Sequence, residues 1–100
     1  MQATATPKFT CGVILATPGA SEAFERNHQM PLEFLQRHLS GDWGDLCDED
    51  RQANDQALVD GSRLLSAYKL KDGTKLWLIT EAIGENGRRE SSTALLPSEY

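Results

Sequence analysis

No apolar run in this chain approaches the roughly 18 residues needed to cross a bilayer, and Met1 to Pro7 lack the basic and apolar regions of a signal peptide. The expectation is a cytoplasmic protein with no membrane contact. Cysteine is scarce: Cys11 and Cys47 are far apart and fit two reduced thiols better than the disulfide framework of a secreted domain. There is no Cys-x-x-Cys or His-Glu-x-x-His spacing, no glycine-rich phosphate loop, and Ser40 lacks the Gly-x-Ser-x-Gly context of a hydrolase elbow. No cofactor is implied. One hundred residues leave room for a single core, not for a cofactor domain beside a catalytic one.

What is present is the composition of a folded domain, with 39% hydrophobic and 25% charged residues. The net charge of -5 is concentrated in one stretch. Between Asp42 and Asp60 there are seven acids, Asp42, Asp45, Asp48, Glu49, Asp50, Asp55 and Asp60, against the single base Arg51. Such a segment repels phosphates, so no direct nucleic-acid binding is expected through that face, whereas a basic protein partner or a cation would be attracted. Arg63, Lys69, Lys71, Lys75, Arg88 and Arg89 make the C-terminal half basic by comparison, and a charge-complementary homodimer is a further expectation.

Residues 1–7 read as a flexible tail and 8–100 as one domain. Phe9 to Ala16 has strand length and composition. Thr17-Pro18 is a helix start, because the threonine hydroxyl can cap and the amide that proline lacks has no partner in a first turn. Pro31 restarts the chain, and Leu32, Phe34, Leu35 and Leu39 form a helical stripe stopped by Gly41. Asp48, Glu49 and Asp50 suit the positive end of a third helix that closes at Gly61, with Ala53, Ala57 and Leu58 as its thin apolar face and Val59 adjacent.

The period then changes to that of strands. Asp72-Gly73 predicts a two-residue hairpin between Arg63–Lys71 and Thr74–Ile83, placing Tyr68 opposite Trp77, Ser66 opposite Ile79 and Ala67 opposite Leu78. Leu64, Tyr68, Leu70, Trp77 and Ile79 would share one face. The other would carry Leu65, Ala67, Leu76 and Leu78, and would meet the first strand curling over it or another copy of the chain; alternatively the first strand pairs with one or other edge of the meander, the sequence leaving both edges open. Gly84-Glu85-Asn86-Gly87 turns the chain again, and Ser91 to Leu96 returns before Pro97. The fold class is α+β: an N-terminal strand, three short helices, then a three-stranded antiparallel meander packed on the helices.

The candidate site is the acidic connection between the second and third helices. Asp42, Asp45 and Asp48, spaced by three, together with Glu49 and Asp50 offer hard oxygen ligands for Mg²⁺ or Ca²⁺, although Gly44 and Leu46 stand where a calcium loop needs oxygens. The plainer reading is that these acids favour a helix start. Trp43, flanked by Gly41 and Gly44, either plugs the core or stands exposed as an interaction anchor beside Asp42, Asp45, Asp48, Glu49 and Asp50. His28, His38 and Cys47 are the residues available for a zinc or catalytic site. His38 is the better base, and it would have to reach a Cys47 nucleophile across the turn.

The run His38-Leu39-Ser40-Gly41-Asp42-Trp43-Gly44-Asp45-Leu46, the segments Arg63-Leu64-Leu65-Ser66-Ala67-Tyr68 and Leu76-Trp77-Leu78-Ile79-Thr80-Glu81-Ala82, and the end Leu95-Leu96-Pro97-Ser98-Glu99-Tyr100 together resemble a family of small bacterial proteins common on plasmids and integrated elements. Members are sometimes labelled plasmid-related proteins or type I restriction subunits. The second label does not fit this chain, which has no glycine-rich cofactor loop and no Asn-Pro-Pro-Tyr motif. The segment Gly84 to Arg89 is longer than in the family pattern. The resemblance implies an accessory protein of a mobile element.

Three functions follow as expectations: a non-catalytic interaction module presenting Trp43 and the acidic surface to a basic protein, a charge mimic of nucleic acid that blocks a DNA-acting enzyme, and a small metal-assisted or cysteine-based enzyme using His38, Cys47 and nearby carboxylates.

Overall fold

A computed structural model describes residues 7–100, so the predicted tail over 1–7 lies almost wholly outside the described residues. The element order is β1 (Val13–Ala16), α1 (Pro18–Asn27), α2 (Pro31–Leu39), α3 (Asp48–Asp60), β2 (Leu64–Lys69), β3 (Lys75–Thr80), β4 (Ser91–Leu95) and a 3-10 turn over Pro97–Glu99. The α+β class and the three helices match the sequence reading, but the sheet does not. It is four-stranded and mixed, in the order β1-β4-β3-β2, with β1 parallel to β4 and the other pairs antiparallel. β1 therefore joins an edge of the meander, the β4 edge, rather than curling over its second face. It is also shorter than Phe9–Ala16, because Gly12 takes a left-handed conformation (φ 65°) and ends the extended run.

The helices start and stop where their caps direct. The Ala20 amide donates to the Thr17 hydroxyl at 3.1 Å, with Pro18 in the first turn of α1. α2 also starts on a proline, Pro31, and Gly41 beyond its end has φ 88°. Asp48, Glu49 and Asp50 fill the first turn of α3, and Gly61 (φ 81°) closes it.

The register of β2 and β3 differs from the predicted one by a single residue. Tyr68 faces Leu76, Ala67 faces Trp77 and Ser66 faces Leu78. The Leu70 amide donates to the Thr74 carbonyl and the Gly73 amide to the Leu70 carbonyl, so the loop has three residues, with Gly73 left-handed at its end. The second hairpin repeats this geometry with Gly84, Gly87 and Arg88. A one-residue slip exchanges the faces of a strand. Leu64, Ser66, Tyr68, Leu76, Leu78 and Thr80 consequently share the helix-covered side, and Trp77 and Ile79 move to the other.

On the covered side Phe24 and Phe34 approach with ring centroids 5.8 Å apart, Phe34 and Tyr68 at 5.4 Å, and Leu76, Leu78 and Ala94 close the main core beneath α1 and α2. A smaller cluster, Trp43, Ala57 and Leu64 with Phe9, Leu46 and Leu58, lies under α3. The opposite face is covered in part by the C-terminal turn, where Tyr100 meets the edge of Trp77 at 5.5 Å. Glu99 holds this turn in place, accepting hydrogen bonds from the Thr17 hydroxyl and the Gly19 amide. No helix among the described residues is long and apolar enough to cross a membrane.

Candidate functional site

The loop Gly41–Cys47 joins α2 to α3 by running along the outer edge of β2. The Ala67 amide donates to the Trp43 carbonyl at 3.1 Å and the Asp45 amide to the Ala67 carbonyl at 2.7 Å, a one-residue parallel bridge centred on Gly44. A Cβ on Gly44 would collide with the Ala67 carbonyl, and its φ of 76° also favours glycine. Two residues away on β2 the side chain of Asn54, from α3, closes the same edge. Its amide nitrogen donates to the Leu65 carbonyl at 2.6 Å and its oxygen accepts from the Leu65 amide at 3.1 Å. Asn54 is buried, while Ala53, assigned from sequence to the apolar face, and Val59, placed beside it, are exposed.

Trp43 is only 5% exposed, so the indole plugs the core and is not available as an exposed anchor. It stacks near Phe9, meets the edge of His38 at 5.8 Å between centroids, and donates to the Asp55 carboxylate at 3.4 Å. Asp42 is likewise committed. Its carboxylate pairs with Arg37 at 2.7 Å and accepts from the Gly44 amide, which hold it below the usual carboxylate range, and its carbonyl accepts from the Tyr68 hydroxyl at 2.7 Å. The Arg37 guanidinium in turn lies 4.5 Å from the centroid of the Tyr68 ring. Asp45, Asp48, Glu49 and Asp50 remain exposed, and no group of three potential ligands converges among the described residues.

His38 is fully buried. Its Nδ1 lies 2.5 Å from the Ser66 hydroxyl and its Nε2 2.8 Å from that of Thr80, which is 2.6 Å from the hydroxyl of Ser92, which donates to the Cys11 carbonyl at 2.8 Å. The carbonyl end sets the direction of the whole chain. Because a carbonyl only accepts, Ser92 uses its proton there, Thr80 donates to Ser92, and Thr80 must accept from Nε2–H. With the ring neutral, as burial makes it, Nδ1 accepts from Ser66. The result is a neutral imidazole of one tautomer. Burial, assisted by the nearby charge of Arg89, pushes its pKa down to about 4.

A serine–histidine contact of this kind resembles the nucleophile and base of a hydrolase, but Ser66 is fully buried and both ring nitrogens are occupied. His38 therefore offers neither an accessible base nor a metal ligand. Cys47 is exposed at the start of α3, and His28 is exposed at the end of α1 in a left-handed conformation (φ 52°). The three residues considered for zinc or catalysis thus occupy separate settings.

Sequence reasoning missed the partners of His38. Ser66, Thr80 and Ser92 alternate with core residues along their strands, and the signal was their place two residues after Leu64, two after Leu78 and two before Ala94 respectively. Arg89 was also missed. It is 5% exposed and donates to the carbonyls of Ser62, Glu81 and Ala57, closing the end of α3 onto the sheet. Compared with protein-family models, curated proteins and solved structures, the chain gives no match.

Proposed function

We propose that this protein is a non-catalytic interaction module whose acidic α3 surface binds a basic protein partner. The observation that carries the reading is the state of the acids. Asp45, Asp48, Glu49, Asp50, Asp55 and Asp60 are all exposed, and none of them forms an ion pair among the described residues. The one base within the segment, Arg51, donates instead to the carbonyls of Leu46 and Gly44. Uncompensated charge of one sign on a helix raises the encounter rate with an oppositely charged surface and selects against like-charged ones. Val59, 80% exposed near the end of the same helix, supplies an apolar contact.

The helix is well suited to such a role because only Asn54 and Ala57 of its 13 residues are buried. Most of its side chains are free to be specified by a partner. The resemblance to plasmid-borne proteins adds the setting, a cytoplasmic accessory protein of a mobile element.

The test is capture from a bacterial lysate by wild type and by a variant with Asp48→Asn, Glu49→Gln, Asp50→Asn and Asp55→Asn, followed by reconstitution with the purified captured protein. The expected result is a basic protein bound by wild type, lost with the variant, and released as salt rises. Equal capture by both proteins, or binding insensitive to salt, would contradict the proposal.

A further inference from the structure

We propose that β1 pairs antiparallel with β1 of a second copy, making one continuous eight-stranded sheet. β1 is the edge strand of the sheet, and every residue in it is exposed: Val13 by 62%, Ile14 by 45% and Leu15 by 48%, with Ala16 beside them. The Val13 amide donates to the Glu90 carbonyl and the Thr17 amide to the Ala94 carbonyl, each at 3.0 Å. Alternate residues of a parallel strand address the same neighbour, so Val13, Leu15 and Thr17 face β4 while Ile14 and Ala16 aim their N–H and C=O groups outward. Among the described residues nothing pairs with them. Natural edges are ordinarily blunted by charge, proline or a covering segment, and β1 has none of these within its four residues.

The occupant that fits is the strand itself. Rotation about a two-fold axis through Leu15 sets Leu15 against Leu15, Ile14 against Ala16 and Val13 against Thr17. The Ile14–Ala16 pairs then exchange four backbone hydrogen bonds, and every side chain within the strands meets an apolar or small neighbour. The charges at the two ends of the strand are also complementary. Arg88 is exposed at the hollow beside Gly12 and Val13, next to the acid Glu90, while the guanidinium of Arg89 is held by the carbonyls of Ser62, Glu81 and Ala57. At the other end Glu99 is bound to Thr17. Antiparallel pairing brings the Arg88 end of one copy to the Glu99 end of the other.

An interface made by two four-residue strands is small, so the dimer is a concentration-dependent one. It leaves both copies of α3 free, because that helix contacts the opposite edge strand, β2. The inference stands independently of the acidic-surface reading.

Sedimentation of the full chain over rising concentration tests it, with Leu15→Lys as the variant and amide hydrogen exchange as a second readout. Wild type is expected to shift from monomer towards twice the mass, and Leu15→Lys, which sets two lysines face to face, to remain monomeric with an unchanged circular dichroism spectrum. The amides of Ile14 and Ala16 should exchange more slowly as wild-type concentration rises, and that of Val13 should not respond. A wild-type monomer at all concentrations, a dimer that survives Leu15→Lys, or Ile14 and Ala16 amides protected equally at every dilution, as they would be under a covering segment of the same chain, would each overturn the proposal. If Leu15→Lys fails to fold, the concentration dependence of the wild-type amides decides alone.

Discussion

At the β2 edge of the sheet the outward groups of Leu65 are taken by the side chain of Asn54 and those of Ala67 by the backbone of Trp43 and Asp45. At the β1 edge the equivalent groups of Ile14 and Ala16 meet nothing among the described residues, and the side chains around them are apolar. Both are edges of one sheet, and the contrast separates two uses of sequence. The glycines, tryptophan and asparagine near β2 close an edge within the chain. The run Val13–Ala16 leaves one available to another chain. The acidic loop belongs to the first use as well as to the proposed interaction surface, since its backbone covers β2 and its Asp42 carboxylate is held by Arg37 while that of Asp45 is exposed.

Substitutions on the sealed side should be costly. Trp43→Ala removes the plug between Phe9, His38 and Leu64, and a loss of about 3–5 kcal/mol is expected in denaturant unfolding, in line with large-to-small changes in a core. A loss under about 1 kcal/mol would mean that the loop lies loosely on β2.

Acid should act on the same side, through His38. Its folded-state pKa of about 4 lies below the ordinary value of 6.5, so the folded protein favours the neutral ring more than the unfolded chain does. This contribution is complete above pH 6.5 and is lost as pH falls towards 4. It is worth on the order of 3 kcal/mol over that interval. Unfolding free energy measured from pH 7 to pH 4 should fall for wild type and fall much less for His38→Asn. Parallel curves for the two proteins would exclude His38 as the titrating group.

Asn54→Ala should cost less, about 1–2 kcal/mol, because it removes two hydrogen bonds to Leu65 at a position water can reach in part. Leu15→Lys, on the bare edge, should change monomer stability by no more than about 0.5 kcal/mol. The comparison would be broken if Leu15→Lys destabilised the monomer as much as Asn54→Ala.

The helices were legible because their ends carry local chemistry: Thr17-Pro18, Pro31, the acids from Asp48 and the left-handed Gly61. The register was not, because Asp72-Gly73 suits a two-residue turn and also a three-residue loop with glycine at its left-handed end. That single residue decided whether Ser66 stood across from Ile79 or from Leu78, and so whether Ser66, Thr80 and Ser92 could line up on the face of His38. The buried polar chain therefore could not be read before the register was known. Trp43 posed a different problem. Its glycine neighbours permit burial or exposure equally, and only the bridge of Gly44 to Ala67 turns the indole inward. The acidic surface was readable from composition alone, since charge that stays exposed needs no tertiary contact to specify it.

Amide hydrogen exchange of the dilute protein, read residue by residue, tests the contrast between the edges most directly. The amides of Leu65 and Ala67 should be protected, as members of a closed edge, while those of Ile14 and Ala16 exchange rapidly. Rapid exchange at Leu65 and Ala67, or protection at Ile14 and Ala16 under these conditions, would contradict the account.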